Sequence, residues 1–206
     1  MAGFDHFALA CKDLQTGVDY VQSLTGVLAA PGGPHPGVGT RNALLSLGSD
    51  VYLEIIAVDP EQPEPNQARP FGIDDSDGPR LAAFAVHPDS GESIESVAEV
   101  IRSHGSDPGP VSSMSRRKPD GEEISWQLTR SNRTGLVPFV IDWGDTPNPA
   151  TVTPTGCSLL AVEGSEPDCA GIVELHRSLG LVSTVSDGPT SLRIVLDTPN
   201  GQVSLS

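Results

Sequence analysis

The chain has 206 residues, enough for one large core or two small ones, and a formal net charge of -15 that repels phosphate backbones and anionic membranes. Apolar residues are 37% and aromatic ones 4%, so Leu, Val, Ile and Ala must fill the core, while 22 Gly and 19 Pro mark many turns. Cys11, Cys157 and Cys169 are scattered without CxxC spacing, which argues against a disulfide framework or zinc knuckle and fits a reducing cytoplasm.

The N-terminal residues show no basic region followed by an apolar run, so no secretory leader is expected. No apolar stretch approaches the ~20 residues that span a bilayer. The basic cluster Arg116-Arg117-Lys118 stands beside Asp120, Glu122 and Glu123 and reads as a solvated turn. Neither nucleic acid nor membrane is an expected partner, and the expected compartment is the cytoplasm.

In chain order, residues 4–10 read as a short apolar strand. Asp13 caps a helix that reaches about Leu24, with Leu14, Val18, Val21 and Leu24 on one stripe, and Gly26 ends it. Residues 27–30 form a short strand and residues 31–39 a loop dense in Gly and Pro. Strands at 41–47 and 51–58 follow, joined by the turn Gly48-Ser49-Asp50. Residues 59–80 are rich in Pro and acidic side chains, lack periodicity, and read as a linker or long surface loop.

The order then recurs. Residues 81–86 are a strand, and residues 93–104 a helix with Ile94, Val97, Val100 and Ile101 on one face. Residues 108–114 are extended, 124–129 alternate apolar and polar, and 137–143 form a strongly apolar strand. After the Pro-rich stretch 146–154 a third copy begins, with a strand at 158–162 and a helix at 167–179 stopped by Gly180. Strands at 181–185, 191–197 and 201–205 complete it.

A whole supersecondary unit repeated in this way implies an α+β fold of βαβββ modules, whose curved mixed sheets enclose a small-molecule cleft. The modules are expected at residues 1–59, 81–145 and 158–206, with a linker loop at 60–80 and a joint at 146–157, all in one compact unit. Which module faces the first stays open.

Three motifs stand in order in the first module: Phe4-Asp5-His6-Phe7, then Gly32-Gly33-Pro34-His35-Pro36-Gly37-Val38-Gly39-Thr40-Arg41-Asn42, then Tyr52-Leu53-Glu54. In these the chain resembles the glyoxalase-like branch of the vicinal oxygen chelate superfamily. The resemblance implies that His6 and Glu54 are ligands of a divalent metal (Zn, Fe, Mn or Ni). Such a metal polarises vicinal oxygens and stabilises an enolate while a carboxylate moves the proton. Dimers are common in the superfamily, which leaves a homodimer open. A full site of that kind draws further ligands from a second module, yet the matching positions here are Ala83 and Phe139, and near Ser158 and Ser204 in the third copy. Two protein ligands fall short of the three or more that a catalytic metal takes.

By strand alternation His6 shares a face with Phe4, Ala8 and Ala10, and Glu54 with Tyr52 and Ile56. His6 has three readings: metal ligand, general base, or a strand histidine bonded to Glu54. His35, on a loop shaped by Gly and Pro, reads as a substrate contact or general acid, against a turn that faces water. Thr40 and Asn42 share a face; Asn42 would hold a substrate carbonyl or brace the loop backbone. Trp143 lines the pocket or packs in the core. No Walker pattern, G-x-G-x-x-G or nucleophile elbow is present.

The leading functional expectation is an enzyme with catalytic His6, Glu54 and His35 and substrate-binding Thr40, Asn42 and Trp143. It would act on a small oxygenated metabolite by proton abstraction or metal-assisted carbonyl polarisation. The alternative is a non-catalytic protein of the same fold that binds or sequesters a small molecule. A dioxygenase with two His and one carboxylate on iron is a third, for which His35 would supply the second His.

Overall fold

Strand, helix and three strands follow one another three times. The computed structural model describes residues 1–48, 50–117, 121–130 and 133–206. Ser49 of the expected hairpin turn, and Lys118 and Asp120 of the expected basic turn, lie outside them. The first unit is β1 (Ala2–Cys11), α1 (Leu14–Thr25), β2 (Ala30–His35), β3 (Thr40–Ser46) and β4 (Tyr52–Val58). The second is β5 (Arg80–Pro88), α2 (Ile94–Ser103), β6 (Val111–Arg117), β7 (Glu123–Thr129) and β8 (Phe139–Asp142). The third is β9 (Ser158–Glu166), α3 (Cys169–Leu179), β10 (Thr184–Asp187), β11 (Ser191–Thr198) and β12 (Gly201–Leu205).

Local chemistry sets the helix ends. Asp13 accepts the Thr16 amide at 2.7 Å, and Gly26, at φ 77°, closes α1 in the left-handed conformation that favours glycine. Ser93 and Ser96 form a reciprocal capping box on α2. Asp168 caps α3, which starts two residues later than the expected Pro167. The Gly-Pro stretch expected as a loop from residue 31 is largely β2, paired with β3 up to the His35–Thr40 pair. His35 therefore stands at a strand end rather than on a free loop.

The first two units share one eight-stranded sheet in the order β2-β3-β4-β1-β5-β8-β7-β6, joined through antiparallel β1 and β5. In both, the fourth strand lies between the first and the third. The third unit keeps the order in sequence but not in space. Its sheet runs β10-β9-β11-β12, with β10 beside β9 rather than beside β11.

Strand alternation divides the large sheet into two faces. The outward residues Phe7, Leu9, Leu53, Ile55 and Phe84 join α1, α2, α3 and the small sheet in a single apolar core, which Leu175, Leu192 and Leu205 of the third unit complete. The inward face is lined at its centre by Ala8, Ala10, Ala83 and Ala85. Small side chains there leave room for a cavity. The Cys11 thiol is buried in the outer core, where burial and the charge of Asp13 push its pKa up to about 11, so it is a packed thiol. Among the described residues, no helix is long and apolar enough to cross a membrane.

His176 of α3 ties the third unit to the second. Its Nε2 donates to the Leu136 carbonyl at 2.8 Å, and its Nδ1 accepts from the Ser183 hydroxyl at 2.6 Å. Burial pushes its pKa below the ordinary histidine value. The folded state thus holds a neutral ring that the unfolded chain protonates. This contribution is complete above a pH of about 6.5 and is lost as pH falls below it. The urea midpoint is expected to drop between about pH 7.5 and pH 5.5, and His176→Gln should flatten that dependence. An equal slope in both proteins would contradict the assignment.

Candidate functional site

β1 carries a bulge. Its pairing with β5 slips between Phe4, opposite Val86, and His6, opposite Ala85, so Asp5 is the extra residue and alternation breaks there. This corrects the expected common face of Phe4 and His6. Phe4 packs on Phe7 and Phe84, ring centroids 5.6 Å away in each case, on the outer side. His6 lines the inner cavity.

The same bulge turns Asp5 toward its neighbour, with Oδ1 2.7 Å from His6 Nδ1. Asp5 is 0% exposed, and its Oδ2 accepts from Trp143 Nε1 and Asn148 Nδ2 at 3.1 Å each. An ionised carboxylate only accepts, so this contact is made by an Nδ1–H of His6, which leaves Nε2 facing the cavity. That Nε2 lies 3.7 Å from Glu54 Oε2. The imidazole stacks on Tyr52 at 4.8 Å and meets Phe139 edge-on at 5.3 Å. Burial, then the charges of Asp5 and Glu54, raise the Tyr52 pKa well above its usual value, so its hydroxyl stays protonated.

Glu54 is held from its other side. Asn42 Nδ2 donates to Glu54 Oε1 at 2.6 Å and lies 3.2 Å from His35 Nε2. Reversing this amide would set oxygen against carboxylate, so the orientation follows from the contact. His35 Nε2 then accepts, and its Nδ1–H donates to Thr40 Oγ1 at 2.9 Å. Burial lowers the His35 pKa, Glu54 opposes the fall and Arg116 adds to it, which leaves the ring neutral. The Asn42 carbonyl oxygen rests against Gly32, where a Cβ would stand 2.1 Å from it, so only glycine leaves room for this amide.

The cavity measures about 570 Å³, and His6, His35, Thr40, Asn42, Glu54 and Trp143 all line it. Its polar end is the His6–Glu54–Asn42–His35 chain; Phe71, Trp126, Phe139 and Trp143 form an apolar wall. Residues 59–80, expected as a linker or surface loop, supply part of this wall through residues 65–68, 70 and 71. Arg69 anchors the segment. It is buried, paired with Glu64 at 2.9 Å and Asp74 at 2.7 Å, and donates to the Gly39 carbonyl at 2.9 Å.

Three groups in or directly behind the cavity wall had no expected site role. Asp5 escaped because alternation sets neighbours on opposite faces and a bulge leaves no mark in composition. Tyr52 was recognised only as a face-mate of Glu54. Arg116 was expected in a solvated turn, yet it belongs to β6, is buried and faces the cavity. Its charge, adjacent to two further basic residues, concealed the inward half of an alternating strand.

The donor set does not fit a divalent cation. Asn42 occupies Glu54 Oε1 and His35 Nε2, which leaves His6 Nε2 and Glu54 Oε2 as two open protein donors where three or more are needed. The opposing half of the sheet presents Ala85 and Phe139 to this site. Among the described residues there is no group of three or more His, Cys, Asp or Glu able to hold a metal ion.

The sequence model of the glyoxalase-like domain family matches residues 4–180. Among solved structures, a hypothetical protein from Staphylococcus aureus is similar over 99% of this chain and 84% of that one, at 17% identity and TM-score 0.60. The methylmalonyl-CoA epimerase of Mycobacterium tuberculosis aligns with 68% of this chain and 85% of its own, at 18% identity and TM-score 0.38. A Streptomyces coelicolor methylmalonyl-CoA epimerase variant in complex with 2-nitronate-propionyl-CoA gives 68% and 94% coverage, 18% identity and TM-score 0.41. Identities this low speak to the fold alone. No curated protein matches the sequence.

Proposed function

Since the chain belongs to the glyoxalase-like domain family, we propose that it is an enzyme that removes a proton from carbon next to a carbonyl in a small oxygenated metabolite. The observation that carries this reading is the Asp5–His6 pair, at 2.7 Å, with His6 Nε2 turned toward Glu54 at the polar end of the cavity. A base oriented by a buried carboxylate is a recurrent catalytic arrangement.

In this reading His6 Nε2 accepts the proton, and Asp5, already bonded to Nδ1, stabilises the imidazolium that results. Glu54, fixed by Asn42, adds negative charge on the other side of that ring. Tyr52, kept protonated, is a hydroxyl donor in the cavity wall available to an enolate oxygen. Thr40 and His35 act by holding Asn42 and Glu54 in place rather than by titrating. No step passes through a metal.

The test is exchange of substrate C–H for deuterium in D2O, followed by proton NMR across a panel of 2-oxo acids and 3-oxo acids. Exchange above the buffer rate by the parent protein supports the reading; none across the panel opposes it. The second reading, a non-catalytic binder, draws on the aromatic wall of Phe71, Trp126, Phe139 and Trp143. It predicts saturable binding of panel members without exchange.

A further inference from the structure

The cavity lining holds a buried charge that the proton-transfer site does not use. Arg116 is 6% exposed and lines the cavity. Its one hydrogen bond among the described residues runs from a terminal guanidinium nitrogen to the Gly32 carbonyl. No described carboxylate forms an ion pair with it. Glu54 acts on it through space but is bound to Asn42.

A structural role explains part of this. β2 and β6 are the two edges of the eight-stranded sheet, and the Arg116–Gly32 bond bridges them. A backbone carbonyl, however, needs only a donor, which a neutral side chain would supply. A guanidinium offers five N–H donors in a planar fork, and a buried charge without a counter-ion is unfavourable until an anion meets it. The matching group is a carboxylate, which accepts two parallel N–H bonds. A phosphate dianion suits the site less well, because Glu54 and Asp5 already place negative charge at this end of the cavity.

We propose that Arg116 is the carboxylate-recognition group of the cavity, so that the substrate is a carboxylic acid with its apolar body against Phe71, Trp126 and Phe139. That the acidic C–H of this acid then meets His6 rests on the proton-transfer reading above; the anion site itself does not.

The test uses 3-phenylpropanoate and 3-phenylpropanamide, which match in shape and differ in charge. Calorimetry on the full chain should show the carboxylate binding roughly tenfold tighter than the amide, as expected for charge-assisted hydrogen bonds. In Arg116→Gln the ratio should fall to about one, and Arg116→Lys should restore part of it, a pattern that a purely structural arginine would not produce. An unchanged ratio in Arg116→Gln overturns the proposal, as does a parent protein that binds both probes equally or fails to bind the carboxylate. Should Arg116→Gln not fold, the parent ratio and Arg116→Lys decide. Neither probe requires proton transfer, so loss of deuterium exchange with an intact binding ratio removes the base assignment and leaves the anion site standing, and the reverse result does the opposite.

Discussion

His6→Asn is expected to lower deuterium exchange by about 10²- to 10⁴-fold, the usual worth of a positioned base. Asparagine is smaller than histidine but keeps an N–H for Asp5, so the buried carboxylate retains a donor while the proton acceptor at Nε2 disappears. The loss should fall on kcat, because the ring makes its decisive contact only as the proton moves. Glu54→Gln keeps the shape and an oxygen for Asn42 to donate to, and removes the charge facing the imidazole at 3.7 Å. A drop of roughly tenfold is expected there. Exchange within about threefold of the parent rate in His6→Asn, with an unchanged melting curve, would mean that another group carries the proton.

Asp5→Asn should show the second large effect, on two readouts at once. The carboxylate is fully buried and accepts from His6, Trp143 and Asn148. Asparagine occupies the same volume but turns an NH2 group either toward His6 or toward Trp143 and Asn148 together. If that group meets His6, the imidazole changes tautomer and its Nε2 becomes a donor, which abolishes base function. If it meets Trp143 and Asn148, both of their N–H groups lose this acceptor. The expected stability loss is about 3 kcal/mol, or roughly 6–12 °C in Tm for a chain of this size, together with a rate loss of about 10²-fold or more. A variant with parental Tm and parental exchange would show that the Asp5–His6 contact is incidental.

Much of the architecture was legible because it rests on local signals. Asp13, Ser93 and Gly26 mark helix ends through capping geometry that depends on nearby residues only. Period-two alternation correctly grouped Tyr52, Glu54 and Ile56 within one strand and Thr40 with Asn42 within its neighbour, and all five line the cavity. What alternation cannot reveal is an interruption of itself. The bulge at Asp5 reverses the face of Phe4 and brings the charged partner to His6, yet Phe4-Asp5-His6-Phe7 has the appearance of an ordinary strand.

Tertiary pairing accounts for the other differences. The third unit repeats the order of elements, but β10 pairs with β9 instead of β11, a choice made between strands distant in sequence. Arg116 is buried because β6 closes against β2, a contact across 84 positions of chain. Residues 59–80 lack periodicity because their place over the cavity depends on Arg69 and its pairs with Glu64 and Asp74 rather than on regular hydrogen bonding.

The most direct measurement is deuterium exchange by protein from which metals have been stripped with a chelator and whose metal content has been checked by elemental analysis. With Asn42 holding Glu54 and His35, and Asp5 orienting His6, the stripped protein should exchange a panel substrate at the rate of the untreated protein. Added Zn²⁺, Fe²⁺, Mn²⁺ or Ni²⁺ should leave that rate unchanged. Exchange that vanishes on stripping and returns with one of these ions would contradict the metal-free proton transfer assigned here to His6 and identify His6 and Glu54 as metal ligands instead.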